Sequence, residues 1–70
     1  MKQVNEMPDS GLFVAEWTLF DGKFSFLYKK DKETGFVSIY HSESRDWSEL
    51  EDQDTVEQTL KNLKANLFFL

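Results

Sequence analysis

The dipeptide Asp21-Gly22 is the feature that most constrains how this chain folds. It separates two runs rich in β-branched and aromatic residues, 12–20 and 23–30. Asp-Gly is typical of a two-residue type I′ turn, because both central residues of that turn adopt a positive φ. The sequence therefore predicts an antiparallel hairpin that turns at this dipeptide.

The two strands of this hairpin each have an apolar side, because side chains alternate between the faces of a strand. A turn at Asp21-Gly22 sets the register so that Trp17 pairs with Phe26. The predicted apolar face consists of Phe13, Ala15, Trp17, Leu19, Phe24, Phe26 and Tyr28. One strongly apolar face is typical of an antiparallel pair that is buried on one side.

A polar loop that ends in Gly35 predicts a third strand over about 36–41. Glycine is suited to the left-handed position that closes such a loop. A four-residue loop pairs Tyr28 with Ile39 and adds Val37 to the apolar face, whereas one more residue in the loop would turn the strand over. We expect the shorter loop, because it buries both β-branched residues.

The last part of the chain predicts one α-helix over about 55–67. Asp54 and Glu57 have the spacing of a capping box at its start. The helix carries one apolar stripe made of Val56, Leu60, Leu63 and Leu67, which recur at helical spacing. Asp46 and Glu49 repeat the capping-box spacing and predict a single helical turn earlier in the chain.

Together these elements predict an α+β fold with a three-stranded antiparallel meander and one C-terminal helix packed on its aromatic face. The three strands are predicted at about 12–20, 23–30 and 36–41. Residues 1–10 predict a flexible N-terminal arm, with ordering at a sheet edge as the alternative, and residues 11–70 predict a single small domain. The segment 67–70 is expected to cap the sheet, to add a short strand or to cover a partner.

The sequence has few of the residues that catalysis or cofactor binding requires. There is no cysteine, which excludes disulfides and cysteine-based zinc sites, and the three glycines are isolated, which excludes a phosphate-binding glycine loop. His41 and Ser42 are adjacent on a predicted strand, so their side chains point to opposite faces and form no catalytic pair. We therefore expect no enzyme, no cofactor and no metal.

Acidic residues outnumber basic ones by thirteen to eight, which gives a formal net charge of −5. Between Glu43 and Glu57 the one basic residue is Arg45. An acidic surface steers association with a basic protein surface, while solubility and favourable charge at a helix N-terminus are the alternative explanation.

Trp47 lies inside this acidic stretch. Trp and Arg are enriched among interface hot spots, so Trp47 is predicted either to anchor a partner or to close one end of the core. The predicted protein-binding residues are Glu43, Arg45, Asp46, Trp47, Glu49, Glu51 and Asp52, together with Phe36 and Tyr40 on the outward-facing side of the third strand.

The sequence thus predicts a non-enzymatic protein–protein interaction module, a small acidic regulator or inhibitor of a larger protein with a basic surface. Alternatives are a nucleic-acid mimic, a self-associating homodimer, and a weak single-stranded nucleic-acid binder that uses Lys29, Lys30 and nearby aromatics. The first residues lack the apolar core of a signal peptide, and no run approaches the roughly 20 apolar residues of a membrane span. We therefore expect a cytoplasmic protein.

Overall fold

A computed structural model describes residues 2–4 and 6–70 of the chain. This part of the chain is α+β, as predicted, but its sheet has six antiparallel strands, so the predicted count of three is wrong. The elements are β1 Lys2–Val4, β2 Gly11–Leu19, β3 Gly22–Lys30, β4 Val37–His41, β5 Asp46–Glu49, α1 Gln53–Asn62 and β6 Asn66–Phe69. The strand order across the sheet is β1-β6-β2-β3-β4-β5.

The β2–β3 hairpin has a different register from the predicted one. Leu19 pairs with Gly22, so the loop residues are Phe20 and Asp21, and Trp17 pairs with Phe24. Phe20 has a φ of 56°, the sign that a type II′ turn needs at its first central position. A Cβ at position 22 would lie 3.3 Å from the ring of Phe24, so the glycine leaves room for that ring.

The observed register leaves the two faces of the hairpin as predicted. Pairing moves by an even number of residues, and side-chain direction has a period of two. Trp17 accordingly shares a face with Phe24 and Phe26. Its ring centroid lies 5.9 Å from that of Phe24 and 5.6 Å from that of Phe26.

The register of the third predicted strand is confirmed. Tyr28 pairs with Ile39, and Gly35 has a φ of 73° at the end of the loop. Val37 consequently lies on the apolar face and is only 2% exposed.

Residues 46–49 form strand β5, so the helical turn predicted there is wrong. β5 pairs with β4 in a third hairpin, with Tyr40 opposite Trp47 and with Arg45 at a φ of 55° in the turn. Four residues are too few to stabilise a helical turn alone, whereas pairing satisfies the main-chain groups along the free edge of β4.

The helix is shorter than predicted, and its end has become a strand. α1 spans Gln53–Asn62, and its N-cap is Asp52 instead of Asp54. The helix ends at the C-cap Leu63, and the next residue, Lys64, has a φ of 55°. β6 then pairs with β2, with Leu67 opposite Ala15. The added strand was one of three alternatives for the tail, and it satisfies main-chain groups on the edge of β2.

The N-terminal segment contributes an edge strand. β1 pairs with β6, with Val4 opposite Leu67. Lys2–Val4 thus follow the alternative of ordering at a sheet edge, while Met1 and Asn5 of the predicted arm lie outside the described residues. The division into a flexible arm and a domain stays a prediction.

The core lies between α1 and one face of the sheet, called here the inner face. Its buried residues are Phe13, Ala15, Tyr28, Val37, Leu60 and Leu67. Phe13 stacks on Tyr28 with 5.6 Å between ring centroids, and Leu60 packs from the helix, as the leucine stripe predicted. Among residues 2–4 and 6–70, no helix is long and apolar enough to cross a membrane.

Candidate protein-binding surfaces

The sheet face opposite α1, called here the outer face, carries a row of apolar side chains. The strand registers place Val14 beside both Phe68 and Leu27, and Tyr40 beside Trp47. The outer row therefore consists of Phe68, Val14, Leu27, Tyr40 and Trp47, and all five are partly exposed. The described helix lies on the other side of the sheet and therefore does not cover this row.

Trp47 is held at one end of the outer row by two neighbours. Its ring centroid lies 5.0 Å from that of Tyr40, and the Nζ atom of Lys29 lies 4.6 Å from the centroid of the indole ring. The second contact is a cation–π interaction. The strand register places Trp47 on the sheet face opposite the core.

The predicted binding residues do not form one cluster. Glu49 pairs with Ser38 on the outer face, near Trp47, whereas Asp46 pairs with His41 and points to the inner side. Glu43 and Arg45 are exposed in the turn between β4 and β5. The outer face therefore brings together one part of the predicted set, with the turn at its rim.

Phe36 and the two acids before the helix lie outside the strands that form the outer row. Phe36 is 43% exposed and lines a shallow depression with Leu12 and Glu49. Glu51 and Asp52 are exposed in the connection from β5 to α1. Sequence reasoning missed Leu12, which is 44% exposed and continues the apolar surface towards Phe36.

Asp52 has a structural role as the N-cap of α1. Its carboxylate accepts a hydrogen bond from the Thr55 N–H at 3.3 Å. Hydrogen bonds from the side chain and then the backbone of Thr55 hold the pKa of Asp52 below its ordinary value. Ionised Asp52 therefore favours the folded state.

We expect Asp52→Asn to remove part of the acid sensitivity of the fold. Asparagine also caps helices, so the variant keeps the cap but does not titrate. Because the folded pKa of Asp52 is lowered, its contribution is complete above the unfolded pKa of about 4 and is lost as the pH falls through the folded value. Urea unfolding between pH 6 and pH 2 should show the advantage of the wild type over the variant shrinking below about pH 4. A difference that stays constant over that range would contradict this role.

A second exposed surface lies on the inner face, beyond the helix. β6 pairs with β2 no further than Glu16, and β4 pairs with β3 from Tyr28 onwards. The turn half of the β2–β3 hairpin therefore projects as a two-stranded ribbon. Its inner-face and tip side chains, called here the hairpin patch, are Trp17, Leu19, Phe20, Phe24 and Phe26.

The hairpin patch was predicted to lie under the helix, apart from Phe20, and this is wrong. Leu19 and Phe24 are each 44% exposed, Phe26 is 43% exposed, and Phe20 is 93% exposed. The reason is length: β2 and β3 have nine residues each and extend about 30 Å, whereas α1 has ten residues and extends about 15 Å. The helix therefore covers only the half of the ribbon that contains Phe13 and Tyr28.

The acidic and histidine side chains of residues 2–4 and 6–70 do not converge on a metal site. No group of three or more His, Cys, Asp or Glu side chains within it is placed to hold a metal ion. His41 is exposed at the end of β4.

No family model matches this chain, and no curated protein or solved structure gives a significant match to it. A function must therefore be inferred from the two exposed surfaces and their chemistry.

Proposed function

We propose that this protein is a small, non-enzymatic binding module that regulates or inhibits a larger protein in the cytoplasm. The outer face, with Trp47 as its anchor, is the binding surface. The observation that carries the proposal is the fixed position of Trp47 between Tyr40 and Lys29, on the sheet face that the described helix leaves uncovered.

A tryptophan held in this way suits an interface hot spot. Hot spots are rich in Trp and Tyr, and a side chain that is already positioned loses less conformational entropy on binding. Trp47 continues into the outer row, which supplies apolar surface across five of the strands. Polar side chains such as Glu16, Ser38 and Glu49 border this row, which matches the apolar centre and polar rim of protein interfaces.

The charges near Trp47 favour a partner with a basic surface. Glu43, Glu49 and Glu51 are exposed around this end of the sheet, and the chain as a whole has a net charge of −5. Long-range attraction to a basic partner would accelerate association and would weaken with salt, because the Debye length falls to about 8 Å at physiological ionic strength. The nucleic-acid-binding site of another protein is one such basic surface. The proposal therefore includes mimicry of nucleic acid by this chain.

Affinity capture from the native cell, followed by calorimetry with the purified partner, tests the proposal. We expect Trp47→Ala to weaken binding by about 30-fold, the effect of losing a hot spot of roughly 2 kcal/mol. Glu49→Lys should weaken binding as well, and that effect should fade as salt is added.

Leu19→Ser is the matched control, because it alters the inner face and leaves the outer face unchanged. Unaltered affinity in Trp47→Ala and Glu49→Lys would overturn the proposed binding surface. A loss of binding in Leu19→Ser alone would move the interface to the hairpin patch.

A further inference from the structure

We propose that a second copy of this chain covers the hairpin patch, so that two β2–β3 ribbons stack by their aromatic faces in a twofold dimer. This interaction lies on the inner face and is separate from the outer face that the proposed function uses.

The exposed apolar area of the hairpin patch is large for a chain of 70 residues. Leu19, Phe24 and Phe26 are each more than two-fifths exposed, and Phe20 is almost fully exposed. From the area of such side chains, the patch leaves on the order of 400 Å² in contact with water. Apolar patches of roughly this size on monomers are often functional. Covering the patch on two copies removes about 800 Å² of apolar surface from water. A polar rim of about 400 Å² would bring the interface to the roughly 1,200 Å² at the lower end of specific interfaces.

The patch is complementary to itself, which a twofold interface requires. The inner-face side chains of the projecting ribbon are apolar, while its charged residues Glu16 and Lys23 pair with Ser25 and Thr18 on the outer face. Two copies can therefore pack these strand faces together without burying Glu16 or Lys23, although each copy has a net charge of −5. Stacking of Trp17 on Phe24 and Phe26 presents one layered aromatic surface, which suits packing against an identical surface.

The position of Phe20 also favours a second copy of the chain as the molecule that covers the hairpin patch. Phe20 has a φ of 56°, a conformation that glycine or asparagine adopts more readily than phenylalanine, and it is 93% exposed. Within one copy, a fully exposed ring gains little from packing. At the tip of the ribbon, the ring lies next to the patch and extends the surface that a second copy covers.

The charge around the patch favours a second copy over nucleic acid. Binding of single strands combines stacking aromatics with a groove of positive charge. At this end of the ribbon Lys23 is accompanied by the acids Glu16 and Asp21. Stacked bases would therefore find the single cation Lys23 near their phosphates, together with two acids that repel them.

Sedimentation equilibrium over a range of concentrations tests the dimer, with two matched leucine variants. Leu19 and Leu12 both lie on β2 and are each 44% exposed, but they occupy opposite faces. We expect the wild type to be a dimer that dissociates on dilution in the micromolar range. Leu19→Ser should raise the dissociation constant at least tenfold, and Leu12→Ser should leave it unchanged.

The outcomes that overturn the dimer are distinct. A wild type that remains a monomer up to millimolar concentration overturns it, as does a dimer that Leu12→Ser disrupts and Leu19→Ser does not. Circular dichroism of the variants checks the fold, and Phe24→Ser repeats the test at a second exposed position. A monomer whose patch binds oligo(dT) or phosphatidylcholine vesicles would replace the second copy with that ligand. Trp47→Ala should leave the dimer intact, which separates this test from that of the proposed function.

Discussion

Phe13→Ala is expected to lower the free energy of unfolding by about 3–5 kcal/mol, the usual cost of removing a buried phenyl ring. Phe13 is fully buried, stacks on Tyr28, and belongs to the cluster that α1 and β6 complete. A domain of this size has roughly 4–10 kcal/mol of stability in total, at the usual free energy per residue. The variant should therefore lose a large part of its stability and unfold at a much lower urea concentration than the wild type, which urea titration followed by circular dichroism measures.

Phe20→Ala is the matched control for Phe13→Ala. It makes the same chemical change at a ring that is 93% exposed and keeps the same positive φ. At a concentration low enough for the protein to be monomeric, we expect its stability to stay within about 0.5 kcal/mol of the wild type. Equal losses in the two variants would show that the core does not lie where the structure has it.

The second large effect is expected at Gln53, whose side chain takes the place of a strand partner for β4. The Oε1 atom accepts a hydrogen bond from the Val37 N–H at 2.6 Å, and the Nε2 atom donates to the Val37 carbonyl at 3.2 Å. Nε2 also donates to the carbonyl of Leu50. The Gln53 side-chain amide therefore links the start of α1 to the sheet by hydrogen bonds next to the buried Val37.

Gln53→Ala is expected to cost about 1–3 kcal/mol, because it leaves the main-chain N–H of the buried Val37 without its partner. The Val37 carbonyl keeps the hydrogen bond that it accepts from the Leu50 N–H. Gln53→Glu should cost more at pH 7, since an ionised carboxylate would then face the two carbonyls that Nε2 now contacts. Protonation restores a donor, so the deficit of this variant should shrink as the pH falls towards about 4.

Gln58 supplies the control, because it lies on the same helix and bonds only to the exposed Asn62 side chain among the described residues. Gln58→Ala should change the unfolding free energy by about 0.5 kcal/mol or less. Hydrogen exchange of the Val37 amide should accelerate in Gln53→Ala and not in Gln58→Ala. Exchange that is the same in both variants would contradict the role of Gln53.

Local patterns predicted the parts of this fold that depend on local chemistry. Alternation along β2 and β3 placed Trp17 and Phe26 on one face, and Gly35 led to the observed register of β4. The exact pairing within the hairpin was not predictable in the same way. A turn at Phe20-Asp21 uses a phenylalanine at positive φ, which no general turn preference suggests.

Three short strands were not part of the predicted meander: β5 was not predicted at all, and strands at the positions of β1 and β6 were only alternatives. Three or four residues give too little alternation to distinguish a strand from a loop or a helical turn. These segments are strands because they pair with neighbours far along the chain or with open strand edges. Gln53 was overlooked for the same reason, because its partner Val37 is 16 residues away in sequence.

The sequence allowed the residues of the candidate site to be named, but it did not predict how they are arranged in space. Trp47 stands out in an acidic stretch, yet its contacts with Tyr40 and Lys29 require β5 to be a strand. The hairpin patch was missed because the sequence analysis assumed that one helix covers the whole aromatic face. The helix predicted over 55–67 would extend about 20 Å, whereas nine extended residues reach about 30 Å, so the two lengths already indicate that the helix cannot cover the whole face.

The two tryptophans allow the central claim, that the outer face binds a partner protein, to be tested in one spectrum. Trp17 lies in the hairpin patch and Trp47 on the outer face, so the two indole N–H signals report on the two surfaces separately. When the captured partner is added to ¹⁵N-labelled protein, we expect the Trp47 signal to shift while the Trp17 signal stays in place. A shift of Trp17 with no change at Trp47 would contradict the claim.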